Sequence, residues 1–423
     1  MKADTSRTTF DPRKHYQGVY LQQGRVQMDA DWNEQVALTA HRLRRVARDI
    51  VGPAGVPRVA AGFACAPTAD GLDLTLSPGR LHLAGQVCEN ETAVTLKSQP
   101  HWPSEAPLVI TEAESLALAD IPNGLYLVEL DVWSRTVTAL EDPSLLEPAL
   151  GGPDTTFRTQ LIWQARLVAV APQTGDYQCG DLLPGWLRDR RASTGTLTAD
   201  TAEAPETVDD CELSATAGYR RIENQHYRVE IHAPGPIGTA TFKWSRENGS
   251  VVVPWKRRDG KRLTMGSAAG DLHQRFASGD TIELLSDNHI LQSIPGVILT
   301  VESVADEQLT VAEAPAVIPN LDSFGDHPRI RRWEGGPPRP VVAGSPMPLE
   351  GGIQVTFGAG HFRSGDYWSI PARTRGPEGA GLLWPKNAAN QSLELPPAGI
   401  AHAHTPLALV AAADGKLSMA GDC

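Results

Sequence analysis

The sequence predicts a mainly β protein: several small β-sandwich or barrel domains, preceded by an extended arm and one amphipathic helix. Two observations favour this class. Glycine and proline together supply 72 of the 423 residues (39 + 33), about 17% against an average near 12%, as many short strands joined by tight turns require. After residue 52, apolar and polar residues alternate in short runs, which is the period of a strand.

The first two elements are an arm and a helix. Residues 1–27 read as an extended polar arm that ends near Gly24. From Asp31 onward, apolar residues recur at helical spacing and basic residues occupy the other face. Gly52-Pro53 ends the helix, because proline cannot continue it. The apolar set is Trp32, Val36, Leu43, Val46, Ala47 and Ile50, and the basic set is Arg42, Arg44, Arg45 and Arg48.

Residues 58–172 are predicted to form the first β domain. The run "LDLTLSPGRLHLAGQVCEN" alternates on both sides of Pro78-Gly79 and reads as a hairpin around that turn. Two further runs, "GLYLVELDVWSRTVTAL" and "TQLIWQARLVAVAP", are rich in β-branched and aromatic residues, which strands favour. Residues 173–215, with clustered Gly, Thr, Asp and Pro, read as a linker or long surface loop.

Residues 216–345 are predicted to form a second, barrel-like β domain. "GDTIELLSDN" and "GVILTVESVADEQLTVAEA" have the spacing of a small barrel of five or six strands. Asn248-Gly249 is a strong turn dipeptide, and "PRIRRWEGGPPRP" reads as a Pro/Gly-rich connector. Residues 346–423 form a C-terminal β segment that ends with the hairpin "TPLALVAAADGKLSM".

Charge and composition exclude several classes. The net charge of −12 argues against broad nucleic-acid binding, which leaves a basic footprint. No apolar run approaches the roughly 20 residues that span a bilayer. The polar N-terminus predicts no signal peptide, and hence assembly in the cytoplasm. The cysteines (65, 88, 179, 211 and 423) lack C-x-x-C spacing, which favours reduced thiols, although a Cys179–Cys211 bridge stays open.

The stretch Asp29-Ala30-Asp31 has two interpretations. A D-x-D pair can bind a metal in nucleotide-sugar folds, but those folds alternate strands with helices and no such alternation occurs here. Asp31 followed three residues later by Glu34 has the spacing of a capping box, in which both side chains bond backbone amides at the helix start. Acidic residues in the first turn also suit the helix dipole. We therefore predict that Asp31 and Glu34 cap the helix.

The helix itself is the predicted partner-binding element. Its arginine face is either a solvated surface or a docking surface for an acidic neighbour. An apolar stripe beside an extended arm is well suited to packing against a copy of the same chain or against another protein. The residues assigned to this contact are Trp32, Val36, Arg42, Leu43, Arg45, Val46 and Ile50.

Catalytic and metal motifs are weak. No G-x-S-x-G elbow, P-loop, H-E-x-x-H or dinucleotide fingerprint occurs, so the chain is predicted not to be an enzyme and to need no cofactor. His402 and His404, two residues apart, would point the same way from a strand. A zinc site needs three or four ligands, and Asp326-His327 is only a conceivable source. No metal is therefore predicted, with His402 and His404 as weak candidates.

Tryptophans in predicted loops suggest a second kind of surface. Trp102, Trp186 and Trp333 lie beside proline or arginine, where an exposed ring could anchor a protein interface or stack on a sugar. The tryptophans inside strand runs read as core residues; they are Trp133, Trp163, Trp244 and Trp368.

Several blocks of the sequence resemble a bacterial family of unassigned function whose members occur among phage-tail-like genes, notably extracellular contractile injection system clusters. The blocks are "FDPRKHYQGVYLQQGRVQMDADWNEQ", "WSRTVTALEDPSLLEPALGGPDTTFRTQLIWQARL", "YRRIENQHYRVEIH", "TFKWSRENGSVV" and "FRSGDYWSIPART". The first block, with "SPGRLHLAGQVCEN" after it, is also similar to the N-terminal region of some phage tail-fibre and baseplate-associated proteins.

The resemblance implies a non-enzymatic structural or accessory component of a contractile particle, at the baseplate periphery, a fibre attachment point, or a spike- or cap-associated position. It brings no catalytic residues. The expected partners are other subunits of such a particle, in a homo-oligomer or hetero-assembly, without nucleic acid and without membrane insertion. The particle would assemble in the cytoplasm and then be released or stay envelope-associated. The alternative is a carbohydrate-binding or carbohydrate-cleaving, tailspike-like surface protein; a metalloenzyme centred on His402 and His404 is the third hypothesis.

Overall fold

The computed structural model describes residues 2–103, 106–111, 115–170, 193–202, 218–266, 276–374 and 381–422. The Cys179–Cys211 pair and Trp186 lie outside these ranges. So does most of the predicted linker, although its middle part, Leu197–Thr201, is a strand rather than a loop. Among the described residues, no helix is long and apolar enough to cross a membrane.

The described chain contains two α-helices, α1 (Asp29–Val51) and α2 (Asp287–Leu291). Its strands up to residue 170 are β1 (Ala54–Gly55), β2 (Cys65–Pro67), β3 (Leu74–Leu76), β4 (Gly79–Leu83), β5 (Gln86–Asn90), β6 (Val94–Thr95), β7 (Val109–Ile110), β8 (Ser115–Leu116), β9 (Gly124–Val137) and β10 (Arg158–Ala169). Short 3-10 turns occur at Pro12–Lys14, Leu118–Asp120, Pro143–Leu145, Pro148–Leu150, Pro315–Val317 and Leu321–Ser323.

The later strands are β11 (Leu197–Thr201), β12 (Gln225–Ile231), β13 (Gly235–Pro236), β14 (Thr241–Ser245), β15 (Val252–Asp259), β16 (Arg262–Met265), β17 (Thr281–Leu285), β18 (Val297–Ala305), β19 (Gln308–Val311), β20 (Arg329–Pro340), β21 (Met347–Pro348), β22 (Ile353–Phe357), β23 (His361–Phe362), β24 (Tyr367–Arg373), β25 (Gly381–Leu382), β26 (Ala403–Ala413) and β27 (Lys416–Asp422). The mainly β class is therefore confirmed.

Strands β1–β10, β26 and β27 pair only among themselves, and we call them the first body. Its largest sheet has the order β27-β26-β9-β10-β7-β8. The long strands β9 and β10 form an antiparallel pair, and β26 joins the other edge of β9. Alternate residues of β9 (Val128, Leu130 and Val132) point into one core, which the small sheets β1-β4-β5 and β2-β3-β6 cover. The opposite face of β9 carries Glu129 and Asp131, both buried. Side-chain alternation along a strand produces this division.

The hairpin predicted around Pro78-Gly79 has a different turn. Strand β3 pairs with β2 and β6, whereas β4 pairs with β5. The two residues that join β4 and β5 are Ala84 and Gly85, both at positive φ, as a two-residue hairpin turn requires. Alternation alone could not choose between the two turns, because β3, β4 and β5 share the same period.

Strands β11–β25 form the second body, which contains the predicted barrel. Strands β15, β16, β19, β18, β17 and β20 are paired in that order, and a β15–β20 pairing closes the ring. This six-stranded barrel encloses its own apolar core, which includes Val253, Leu284 and Ile330. Beyond β20 the sheet continues through β14, β12, β24 and β25, over a second core that includes Phe242 and Trp368.

The predicted connector "PRIRRWEGGPPRP" is instead strand β20, which belongs to both the barrel and the adjoining sheet. Ile330 and Trp333 are buried in it. The glycines that suggested a connector, Gly335 and Gly336, have positive φ and lie near a register shift against β14. Glycine in a strand commonly marks such an irregularity, so the composition reflected a bulge rather than a loop.

The boundary predicted at residue 346 does not coincide with a break in the sheets. Strands β22 and β24 belong to the second body, whereas β26 and β27 return to the first and pair beside β9. Residues 346–423 are therefore shared between the two bodies. Strand pairing of this kind depends on neighbours hundreds of residues away, which local composition does not encode.

Candidate partner-binding surface

The arm folds back along helix α1. Thr9 Oγ1 donates a hydrogen bond of 2.6 Å to Glu34 Oε2, and the Val19 amide donates one of 2.7 Å to Gln35 Oε1. Leu38 is buried on the same side of the helix. One face of α1 is thus occupied by residues of its own chain.

The helix begins two residues earlier than predicted, with Met28 as its N-cap residue. Asp31 is the third helical residue, and its Oδ2 accepts the Met28 amide at 3.1 Å. Asp29 accepts bonds from the amide and hydroxyl of Ser6, at 2.8 and 2.6 Å. Partial burial raises the pKa of Asp29, but these bonds outweigh it and hold the pKa below its usual value.

The predicted roles of the two acids therefore change. Asp31 does bond a backbone amide at the helix start, but from inside the helix rather than as its cap. Glu34 takes no part in capping, because its carboxylate bonds Thr9. The carboxylates of Asp29 and Asp31 serve different partners, Ser6 and Met28. The start of the helix is thus hydrogen-bonded to the arm through Asp29 and Ser6.

The first residues of the arm are anchored in the second body. Lys2 Nζ lies 2.7 Å from Glu230 Oε1, and the Ala3 carbonyl accepts a 2.9 Å bond from Asn248 Nδ2. Ala3, Asn248 and Glu230 are buried. The arm therefore ties the start of α1 to the second body.

The other end of α1 rests on the first body. The β4–β5 turn meets the helix at Arg44, and a Cβ atom at Gly85 would collide with the Arg44 backbone. Strand β1 follows soon after the helix and pairs with β4. Helix α1 is thus held at both ends, so its outer face has a fixed position.

That outer face carries five of the six predicted apolar residues, and these five are exposed; the sixth, Ala47, is half-buried. Trp32 is 64% exposed, Val36 54%, Leu43 66%, Val46 55% and Ile50 79%. With the exposed Thr39, these positions are separated by four, three, four, three and four residues, which is the heptad spacing of a coiled-coil seam. We call the six residues the α1 stripe. In the single chain, nothing among the described residues covers it.

The arm extends this apolar surface. Tyr20 is 92% exposed, Leu21 65% and Val26 86%. Of the 23 large apolar side chains exposed in the described residues, 13 lie between Tyr16 and Val59. About a tenth of the chain thus carries more than half of them. Contiguous exposed apolar surface of this kind marks an interaction site.

One arginine flanks the stripe. Arg42, Arg44, Arg45 and Arg48 are exposed, and none forms an ion pair with another described residue. Arg42 directly precedes Leu43 and so lies beside the seam, whereas the predicted contact residue Arg45 lies with Leu38 on the side of the helix that faces the arm. Complementary charge sets orientation and association rate more than affinity, so Arg42 favours an acidic residue on the partner.

The structure also brings together the two weak metal candidates. His404 lies directly opposite Asp131 in the β26–β9 pairing. His402 Nδ1 is 2.8 Å from Asp131 Oδ1, and His404 Nδ1 is 3.3 Å from the same atom and 3.1 Å from Glu129 Oε1. Burial raises the pKa of Asp131, but the His402 hydrogen bond and the charges of His402 and Arg166 outweigh it, so the pKa lies well below its usual value.

Sequence reasoning missed Asp131 and named Asp326-His327 as the conceivable further ligands. His327 lies elsewhere, with Nδ1 3.1 Å from Asp287 Oδ2. The signal for Asp131 was the alternation in "LVELDVW", which puts Glu129 and Asp131 on one strand face. The partner strand, 271 residues away, could not be inferred from it.

The loop tryptophans do not form exposed platforms in the described residues. Trp333 is buried in strand β20, and its Nε1 donates a 2.8 Å bond to Glu283 Oε2. Trp102 packs in part against the first core, and its ring centre lies 6.0 Å from the Arg166 guanidinium. The loop placement predicted for Trp333 was wrong, because the connector is a strand. Tryptophans in predicted loops were the reason to consider stacking on a sugar, and the burial of Trp333 removes one of them.

Comparison with known proteins gives one match. A family model described as a family of unknown function (DUF6519) matches residues 1–179 and 176–416. The two segments together cover almost the whole chain. No curated protein and no solved structure matches it.

Proposed function

The chain belongs to this family of unknown function, DUF6519, and from that premise we propose that it is a non-enzymatic structural component of a larger protein particle. The observation that carries the proposal is the α1 stripe, a row of exposed apolar side chains at heptad spacing on a helix fixed at both ends. A partner that covers the stripe would explain why these apolar side chains are exposed to solvent in the single chain.

The stripe has the chemistry of a helix–helix contact. Val36, Leu43 and Ile50 occupy one seam position of the heptad, and Trp32, Thr39 and Val46 the other. Complete burial of a large apolar side chain is worth roughly 1.5–3 kcal/mol. The five apolar members are between 54% and 79% exposed, so covering the exposed parts would contribute roughly 5–10 kcal/mol, comparable with the 4–15 kcal/mol that association costs. The partner is therefore a helix with its own apolar seam and, opposite Arg42, an acidic flank.

The kind of particle follows from the resemblance described above. Blocks from both ends and the middle of the chain are similar to a family found among phage-tail-like genes, so the particle is a contractile, phage-tail-like injection particle. The chain would sit at the baseplate periphery, at a fibre attachment point, or in a spike- or cap-associated position. Its partners are other subunits of that particle, and assembly takes place in the cytoplasm.

A single substitution tests the surface. A tagged chain is expressed in the source bacterium, and the assemblies purified with it are examined by mass spectrometry and electron microscopy. The wild-type chain should recover sheath, tube or baseplate subunits. Leu43→Asp should lower that recovery at least tenfold, because it places a charge in the apolar seam. Deletion of the arm is a poorer test, since Lys2 and Ala3 are anchored in the second body.

The matched control is Ile222→Asp. Ile222 is 99% exposed and is not a residue of the α1 stripe, so this variant should recover the same subunits as the wild type. The proposal is overturned if Leu43→Asp recovers them equally well. The particle assignment is overturned if the wild-type chain recovers no subunit of a phage-tail-like particle.

A further inference from the structure

A cluster of histidine and carboxylate side chains lies on the face of strand β9 opposite the first core, and it shares no residue with the α1 stripe. Glu129 and Asp131 are two residues apart on β9, so both point away from the first core. His404 projects from the neighbouring strand β26, opposite Asp131, and His402 directly precedes that strand. Four side chains with metal-ligating atoms thus converge from two paired strands.

The spacing of the ligand atoms matches that of a tetrahedral ion. Zinc ligands lie at about 2.0–2.2 Å from the ion, so adjacent ligands of a tetrahedron are about 3.3–3.5 Å apart. Asp131 Oδ1 is 2.8 Å from His402 Nδ1 and 3.3 Å from His404 Nδ1. The ligand atoms of these three residues all lie within 4.8 Å of one another. Shifts of a few tenths of an ångström would bring the two Asp131 distances to the tetrahedral spacing, and a ligand pair 4.8 Å apart would close by a little more than 1 Å.

The surroundings hold these groups in place. Arg166 donates a 2.8 Å bond to Asp131 Oδ2, which leaves Oδ1 facing the histidines. The Trp133 indole stacks on the His402 ring, with centroids 4.9 Å apart and an interplanar angle of 26°. Supporting contacts that orient the ligands are typical of built metal sites. Loosely placed surface histidines have no such support.

Charge in the cluster favours a cation. The Glu129 and Asp131 side chains are 0% and 2% exposed, and burying two carboxylates is costly unless positive charge accompanies them. Arg166 and Arg363 supply two positive charges near Asp131, and the Asp366 carboxyl group near His402 adds a third acid. A divalent ion beside the histidines would supply the rest without protonating either ring, and the His402 side chain, 20% exposed, leaves a path for its entry.

We propose that Asp131, His402 and His404 bind a divalent transition-metal ion of the zinc class, with the Glu129 carboxylate beside them as a further ligand. Imidazole nitrogens suit zinc and its neighbours, whereas a calcium or magnesium site would consist of oxygen ligands alone. The ion would join β26 to β9 and so fasten the C-terminal hairpin β26–β27 to the first body. This site does not depend on the proposed particle role.

The test is a zinc titration of the full chain. The protein is stripped with a chelator, desalted, and titrated with zinc in competition with a chromophoric chelator. The wild type should bind one equivalent. His404→Gln and Asp131→Asn should each weaken binding at least 100-fold, because each removes a ligand. Cobalt(II) added to the stripped wild type should give the visible absorption bands of a four-coordinate site, a readout that needs no variant.

His327→Gln is the matched control. His327 also pairs with a carboxylate, with Nδ1 3.1 Å from Asp287 Oδ2, but it is not among the clustered ligands. This variant should bind zinc as tightly as the wild type. The proposal is overturned if the stripped wild type takes up no stoichiometric zinc and gives no cobalt bands, or if a folded His402→Gln/His404→Gln chain retains full affinity. Circular dichroism of each variant establishes folding.

Discussion

Glu230 is a buried carboxylate surrounded by several cations. Lys2 Nζ is 2.7 Å from its Oε1, Arg228 Nε 2.6 Å from its Oε2, and Lys243 Nζ 3.6 Å from its Oε1. Burial raises the pKa of Glu230, but these three positive charges outweigh it and lower the pKa to about 2. Burial lowers the pKa of Lys2 to about 7, against the pull of Glu230. The arm is thus held by an ion pair whose carboxylate is buried and whose lysine side chain is 24% exposed.

Glu230→Gln should destabilise the chain by about 3–5 kcal/mol at pH 7, because it leaves buried cations without their partner. Its folded-state pKa of about 2 lies below the ordinary value of 4.5. The stability from its ionisation is therefore complete above pH 4.5 and is lost as the pH falls toward 2. Urea unfolding between pH 7 and pH 3 should show the difference from wild type shrinking below pH 4.5.

The control for this substitution is Glu223→Gln. Glu223 is exposed and lies 3.5 Å from Arg221, and exposed pairs of this kind contribute at most about 1 kcal/mol. A Glu230→Gln chain as stable as the Glu223→Gln chain at pH 7 would contradict the buried-pair interpretation.

Helix α1 has an apolar side toward solvent, so its position depends on a few fixed contacts. One is the β4–β5 turn, where Gly85 has a φ of 78° and meets the Arg44 backbone. Only glycine combines this left-handed conformation with so close an approach. The turn therefore sets the distance between the helix and the first body.

Gly85→Ala should cost about 3 kcal/mol or more, because the left-handed conformation costs about 1–2 kcal/mol and the clash with Arg44 adds about 1–3 kcal/mol. Gly415, in the β26–β27 turn, has a similar φ of 73° but nothing within 4 Å of an added Cβ. Gly415→Ala should thus cost only the conformational part. Urea midpoints measure both. Equal losses would show that the turn does not support α1.

The two bodies are joined by a buried charge network. Arg329 of the second body bonds both Asp287 of its own body and Glu141 of the first. Arg135 of the first body reaches Asp287 at 3.1 Å. Arg329 is 2% exposed, so its guanidinium is shielded from water. It therefore pairs with carboxylates of both bodies inside the protein.

Arg329→Ala should destabilise the molecule by about 3–5 kcal/mol, because it leaves the buried Glu141 carboxylate without its cation and removes one of the cations that pair with Asp287. The bodies should also unfold less cooperatively, so that calorimetry shows a broadened or divided transition in place of the wild-type one. Arg262→Ala, at an exposed barrel position, should leave the transition unchanged. A single transition at the wild-type temperature in Arg329→Ala would contradict this role.

Local periodicity predicted the features that depend on neighbours in sequence. The helix was placed to within two residues at its start, since heptad and helical spacing need only a few turns. The long strands of the first body and the six-stranded barrel followed from alternating runs and turn residues. The apolar side of α1 was also identified from spacing alone, although nothing in the sequence showed that the folded chain leaves it exposed.

Sequence alone determined the mainly β class, the helix and the five apolar residues of its stripe, because each depends on side chains a few positions apart. Tertiary structure alone decided that β20 is a strand, that β26–β27 returns to the first body, and that Asp131 meets His402 and His404. Those outcomes depend on which distant strands pair. Pairing is chosen by burial and register across the whole chain, so no local pattern records it.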